Sequence, residues 1–122
     1  MQTENHDGWQ VFVEMVAQSK LKTIAAMGSV MESIAENSSG GHYAYRTTKT
    51  ALHMVIKSLA HDLADRGIKC IALHPGWVRT RMGGDEAPLS DDESAQGLKK
   101  VLLGLSAGES GCLIDFSGVK QE

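Results

Sequence analysis

No stretch of this chain approaches the roughly 20 consecutive apolar residues that a membrane-spanning helix needs, so no membrane partner is expected. Positive charge is also in short supply. Twelve Lys and Arg against 15 Asp and Glu leave a formal charge of −3, which offers neither nucleic acid nor an anionic membrane any electrostatic attraction. Cysteine is scarce: Cys70 and Cys112 both stand in apolar, strand-like runs, as two buried reduced thiols would, and neither a disulfide nor a metal role is expected. The first eight residues are polar and acidic, unlike a signal or transit peptide. Residues 1–8 therefore read as a disordered leader, and the expected location is the cytoplasm. The absence with the largest consequence is a glycine-rich, phosphate-cradling turn, because none precedes the residues that carry the chemistry below.

What is present amounts to about one domain in 122 residues, with 42% hydrophobic residues and no internal repeat. Residues 9–122 are expected to form that domain. Val11, Phe12, Met15 and Val16 recur at helical spacing, which predicts a short helix over 9–19. Residues 21–27 read as a buried strand, and 28–42 as a loop rich in Ser, Gly and Asn. A long helix is predicted over 43–66, with Leu52, Val55, Ile56, Leu59 and Leu63 as its apolar stripe and Gly67 at its C-cap. Residues 68–73 form a second strand. After a segment over 77–88, Ser90 and Glu93 have the spacing of a capping box. The helix they open carries Ala95, Leu98, Leu102 and Leu105 on one face, and 112–116 makes a last strand. Strands alternating with helices across short joins predict an α/β fold: about three parallel strands with flanking helices.

The chemistry centres on Tyr45 and Lys49. Positions i and i+4 share a helix face, so both side chains can enter one cleft. An ammonium beside a phenol favours the phenolate, the form able to take up a proton. Ser29 leaves the carboxyl end of the first predicted strand, where open α/β sheets place their ligands, and its hydroxyl can hold a reacting oxygen against the tyrosine. A lone Tyr-x-x-x-Lys is a weak motif; the ordered series strand, Ser29, loop, Tyr45, Lys49, helix, strand, Pro75, Gly76 is far more specific.

With Gly28-Ser29, the run Gly40-Gly41-His42-Tyr43-Ala44-Tyr45-Arg46-Thr47-Thr48-Lys49 and the run His74-Pro75-Gly76-Trp77-Val78-Arg79-Thr80, residues 20–122 resemble the C-terminal half of the short-chain dehydrogenase/reductase family. The long Ser-to-Tyr loop, with its Asn-x-Ser-Gly-Gly stretch from Asn37 to Gly41, is similar to the sniffer and C-factor branch of small carbonyl reductases. The resemblance implies the C-terminal portion of a Rossmann-like, doubly wound parallel sheet, with the N-terminal dinucleotide-binding half missing. It implies an NAD(P)-dependent oxidoreductase that interconverts a small carbonyl and an alcohol. Tyr45 would be the general acid/base. Lys49 would support it and bind the nicotinamide ribose, while Ser29 would orient the substrate oxygen. Pro75, Gly76, Trp77, Val78 and Thr80 would line the nicotinamide pocket. The residue that chooses NAD over NADP would lie in the missing half, so either cofactor fits.

Other features carry less. His53 and His61 are eight residues apart, about 12 Å along a helix, which is too far to share one ion, and no metal site is expected. His42 and His74 could flank one cleft. Arg79 and Arg81 are read as anion-binding or as solvated loop residues. Ala44, Thr48, Ala51, Val55 and Leu59 form a second, fairly apolar face on the long helix. This face predicts a homo-oligomer through residues 43–66, with the N-terminal helix of the same chain as the competing cover. A second function class, a truncated non-catalytic remnant serving as an oligomerisation module, rests on that face and on the missing half.

Overall fold

The computed structural model describes residues 6–28, 40–79 and 84–121. Helix α1 (His6–Ala17) leads into strand β1 (Thr23–Met27), helix α2 (Tyr43–Asp62), strand β2 (Lys69–His74), helix α3 (Asp91–Leu103), strand β3 (Leu113–Asp115) and strand β4 (Lys120–Gln121). The sheet order is β1-β2-β3-β4. The first three strands run parallel, with Met27 opposite Leu73 and His74 opposite Asp115, and β4 returns antiparallel to β3. The expected α/β architecture is present, with a fourth strand that hydrophobic pattern alone does not show.

Strand β2 lies at the centre because its residues can be buried on both faces. Cys70, Ile71, Ala72 and Leu73 are all within 3% of full burial. Alternation sends neighbouring side chains to opposite sides of the sheet. Cys70 joins Val13 of α1 and Ile56 and Ala60 of α2 on one side. Ile71 and Leu73 join Ile114, Leu98 and Val101 on the other, beneath α3. The layers are therefore helix, sheet, helix. Cys112 packs in this second cluster, so the sheet itself separates the two free thiols. Cys112 is only half-buried, unlike Cys70, whose thiol burial pushes up in pKa.

The topology has one unusual consequence. The steps β1 to β2 and β2 to β3 advance the same way across the sheet, yet their helices cover opposite faces. The two crossovers must have opposite handedness, so one is the uncommon left-handed connection.

Several boundaries and faces differ from expectation. Helix α1 begins at His6, so residues 6–8 are its first turn rather than leader, and residues 1–5 lie outside the described set. The long helix is α-helical to Asp62, then tightens into a 3₁₀ turn over Ala64–Arg66 that Gly67 closes at φ 71°. Val55 is 53% exposed and does not belong to the inner stripe; Ala60 takes that place. On α3 the capping box is present, with the Ser90 hydroxyl accepting from Glu93 N–H and the Glu93 carboxylate accepting from Ser90 N–H. The bond from the Ser90 backbone, and then that from its hydroxyl, holds the Glu93 carboxyl below its ordinary pKa.

Strand β4 owes its place to Asp115. Its Oδ1 accepts from the backbone of Ser117 and Val119 and from the Ser117 hydroxyl, and its Oδ2 accepts from Gln121. Burial opposes the charged form of Asp115, but these hydrogen bonds, with help from His74, outweigh it and hold the pKa down. One carboxylate thus folds the chain back, a turn device that leaves no apolar periodicity.

Candidate functional site

The carboxyl ends of β1 and β2 are neighbours by register, and the Gly28 N–H extends their ladder by donating to Leu73 O at 2.6 Å. Two sets of sequence-predicted residues meet at this end of the sheet. One leaves β2: Pro75, Gly76, Trp77 and Val78. The other descends from the first two turns of α2: Tyr45 and Lys49.

The start of α2 is set by backbone shape. Gly40, Gly41 and His42 are successive left-handed residues, with φ of 69°, 70° and 51°. Glycine is the residue that adopts such angles without a steric cost. The Arg46 guanidinium donates to Gly41 O at 3.0 Å and Gly40 O at 3.3 Å, tying the entry loop to the helix. From this start, Lys49 points at the sheet. Its ammonium donates to Met27 O, the last residue of β1, at 3.2 Å. The same nitrogen lies 5.8 Å from the centre of the Tyr45 ring, within cation–π range. Tyr45 is 46% exposed and Trp77 58% exposed, so a cleft rather than a closed core surrounds the pair. Helical spacing and a main-chain anchor together bring Tyr45 and Lys49 to the end of β1. Ser29 and Thr80, the remaining predicted site residues, lie outside the described residues.

The Pro75–Gly76 turn is held from behind by residues that motif spacing does not single out. Ser94 is 4% exposed, and its hydroxyl donates to Pro75 O at 2.7 Å. This explains why Ser94, and not the exposed Ala95, faces inward on α3. The available signal is the series 90, 94, 97, 101, which follows one helix face from the capping box. Gly76 has φ 85°, and a Cβ there would run into Leu89 and Phe116. Val78 pairs with Leu89 in a short parallel bridge. Arg79 closes the same neck, donating to Ala87 O at 3.1 Å and Pro88 O at 3.2 Å. Arg79 thus clasps backbone carbonyls while remaining exposed, and Arg81 lies outside the described residues. Replacing Ser94 with alanine is expected to destabilise the protein by about 1–3 kcal/mol, because Pro75 O loses its donor in a crowded position. Urea unfolding measures this as a lower midpoint with an unchanged slope.

Among the described residues, no three His, Cys, Asp or Glu side chains converge as a metal cluster. Among those residues, too, no helix is long and apolar enough to cross a membrane.

Comparison with known proteins places this geometry. A family model described as Enoyl-(Acyl carrier protein) reductase, of the short-chain alcohol dehydrogenase type, matches residues 7–107. C-signal of Myxococcus xanthus is 42% identical over 103 residues, which are 84% of this chain and 62% of that protein. Among solved structures, the carbonyl reductase Sniffer of D. melanogaster superposes with a TM-score of 0.84 at 34% identity, over 93% of this chain and 49% of its own. An NADPH-bound carbonyl reductase from chicken fatty liver gives 0.81 at 32% identity, over 92% and 50%. The chain thus spans about half the length of these two solved relatives, and about three-fifths of C-signal.

Proposed function

The chain belongs to the short-chain dehydrogenase/reductase family of oxidoreductases, and on that premise we propose that it interconverts a small carbonyl and the corresponding alcohol, with Tyr45 as general acid/base. The observation that carries this reading is Lys49, anchored on Met27 O at 3.2 Å and 5.8 Å from the Tyr45 ring, at the carboxyl end of a parallel sheet.

The chain's own residues suit a nicotinamide cofactor, NAD or NADP. An ammonium and a phenol offer donors and an acceptor for a ribose diol, and the Pro75–Gly76 backbone beside Trp77 and Val78 offers a wall. In this reading Tyr45, Lys49, Pro75, Gly76, Trp77, Val78 and Thr80 hold the cofactor, which when bound supplies or accepts the hydride. Tyr45 gives its hydroxyl proton to the carbonyl oxygen in reduction and takes it back in oxidation. Lys49 places its positive charge beside the ring that gives up the proton. Because the Met27 carbonyl restrains its ammonium, little side-chain freedom remains to be lost when the site works. Ser29 orients the substrate oxygen.

The upper part of α2 bears on partners. Leu59 packs into the core cluster that contains Val13 of α1, so the N-terminal helix covers that end of the second face. Ala44, Thr48, Ala51 and Val55 remain exposed. In this reading they contact a second copy of the chain.

A fluorescence titration with NADH and NADPH tests the cofactor site. Saturable binding is expected, and Lys49→Ala is expected to weaken it by about tenfold, the worth of one charge-assisted hydrogen bond. Absence of saturable binding, or an affinity that Lys49→Ala leaves unchanged, would count against the proposal.

A further inference from the structure

Helices α2 and α3 begin in different ways. Helix α3 opens on a capping box, with Asp91, Asp92 and Glu93 in its first turn. Both devices satisfy or complement the free N–H groups of a helix start. Helix α2 has neither. His42 stands at its N-cap in the left-handed region, its side chain makes no capping hydrogen bond, and no acidic residue lies in the first turn. A first turn without a cap frays, because its N–H groups have no partner inside the helix. That turn carries Tyr45.

Arg46 supplies the closure instead. Its backbone N–H donates to His42 O at 2.9 Å, and its guanidinium to Gly41 O at 3.0 Å and Gly40 O at 3.3 Å. One residue thus holds three successive carbonyl oxygens of the entry loop, and Tyr45 lies inside the ring of chain that these bonds close. The glycines add no packing of their own, since a Cβ at Gly40 or Gly41 would have nothing within 4 Å. Burial points the same way. Arg46 is half-buried, whereas Tyr43, Ala44 and Tyr45 before it and Thr47 after it are exposed. A cation at the positive end of a helix is electrostatically unfavourable, so its place there is offset by what it holds. The rigid planar guanidinium suits two carbonyls side by side.

We infer that Arg46 is a positioning residue for Tyr45: its fork onto Gly40 O and Gly41 O replaces the N-cap and fixes the tyrosine ring beside the Lys49 ammonium. This rests on the reading of Tyr45 as general acid/base and adds the group that sets where that phenol stands. Lys49 sits one turn further into the helix and is anchored separately, on Met27 O. Loss of the fork therefore loosens Tyr45 and leaves Lys49 in place.

Arg46→Ala, Arg46→Lys and a control, Thr47→Ala, are compared with the unmodified chain in two measurements. NMR follows amide exchange along α2 and the NOE between the Tyr45 ring and the Lys49 side chain. In Arg46→Ala the amides of residues 46–48, the first to bond within the helix, should exchange about tenfold faster. The NOE should weaken, while residues 52–60 keep their protection. Turnover of benzaldehyde with NADPH then separates positioning from a general structural loss. In Arg46→Ala kcat should fall by about ten- to a hundredfold, as for a misplaced reacting group. NADPH affinity, which Lys49 carries, should stay within about twofold. Arg46→Lys, with one ammonium in place of the fork, should recover only part of kcat. Thr47→Ala should match the unmodified chain throughout.

The inference is overturned if the unmodified chain lacks the Tyr45–Lys49 NOE, or if Arg46→Ala leaves exchange and NOE unchanged. Equal losses of kcat and NADPH affinity, or full recovery in Arg46→Lys, would also overturn it. If the unmodified chain does not turn benzaldehyde over, the acid/base reading of Tyr45 fails, and the NMR comparison still decides whether Arg46 holds that residue in place.

Discussion

Turnover of a small aldehyde or ketone with NADPH is expected to fall by about 10²- to 10⁴-fold in Tyr45→Phe, the usual contribution of a positioned general acid. The fold should not change, for a reason visible in the structure. Among the described residues the Tyr45 hydroxyl donates and accepts no hydrogen bond, so removing it leaves no buried group unsatisfied. The ring, which Lys49 faces at 5.8 Å, stays in place. Following NADPH absorbance under saturating cofactor separates the loss of chemistry from any loss of binding. Tyr43→Phe is the control. That residue is 82% exposed and has Thr47, not a lysine, four positions on, so its turnover should persist. Equal rates for the unmodified chain and Tyr45→Phe would remove Tyr45 from the mechanism.

A large effect on stability is also expected from Gly97→Ala. In an exposed helix this exchange is favourable by about 1 kcal/mol. Here the sign reverses, because the added Cβ would be driven against the Phe116 main-chain carbonyl, well inside van der Waals contact. A backbone oxygen in a sheet connection cannot rotate away as a side-chain tip can. Helix α3 must lift, and overpacking of this kind costs about 1–3 kcal/mol. Gly8→Ala in α1 is the counterpart, since nothing lies within 4 Å of the position its methyl group would take, and it should stabilise by the helix-propensity increment alone. Opposite shifts of the two urea midpoints would confirm that close packing, rather than helix propensity, decides at Gly97. The effect also reaches the site. Phe116 packs beside Gly76, and Ser94 of the same helix holds Pro75, so a displaced α3 disturbs the Pro75–Gly76 turn and with it the proposed nicotinamide wall.

Much of this molecule is legible in its residues. Local spacing reveals the three parallel strands, the long helix with its glycine stop, and the capping box at Ser90, because each depends on interactions within a few positions of the chain. The Tyr45–Lys49 pair is legible for the same reason, since four residues on a helix make one face. The register that brings β2's Pro75–Gly76 turn beside the end of β1 is a long-range property, and so are the hydrogen bond from Lys49 to Met27 and the support from Ser94, Leu89 and Phe116. Their partners are 22, 19, 13 and 40 residues distant in the chain, too far for any local pattern to encode. The opposite crossovers, the Asp115-centred return of β4 and the clasp made by Arg79 belong to that second class. Sequence alone singled out the Tyr45–Lys49 pair, because helical and strand periods are short. Tertiary structure alone decided what holds them, because only packing joins groups that the chain keeps apart.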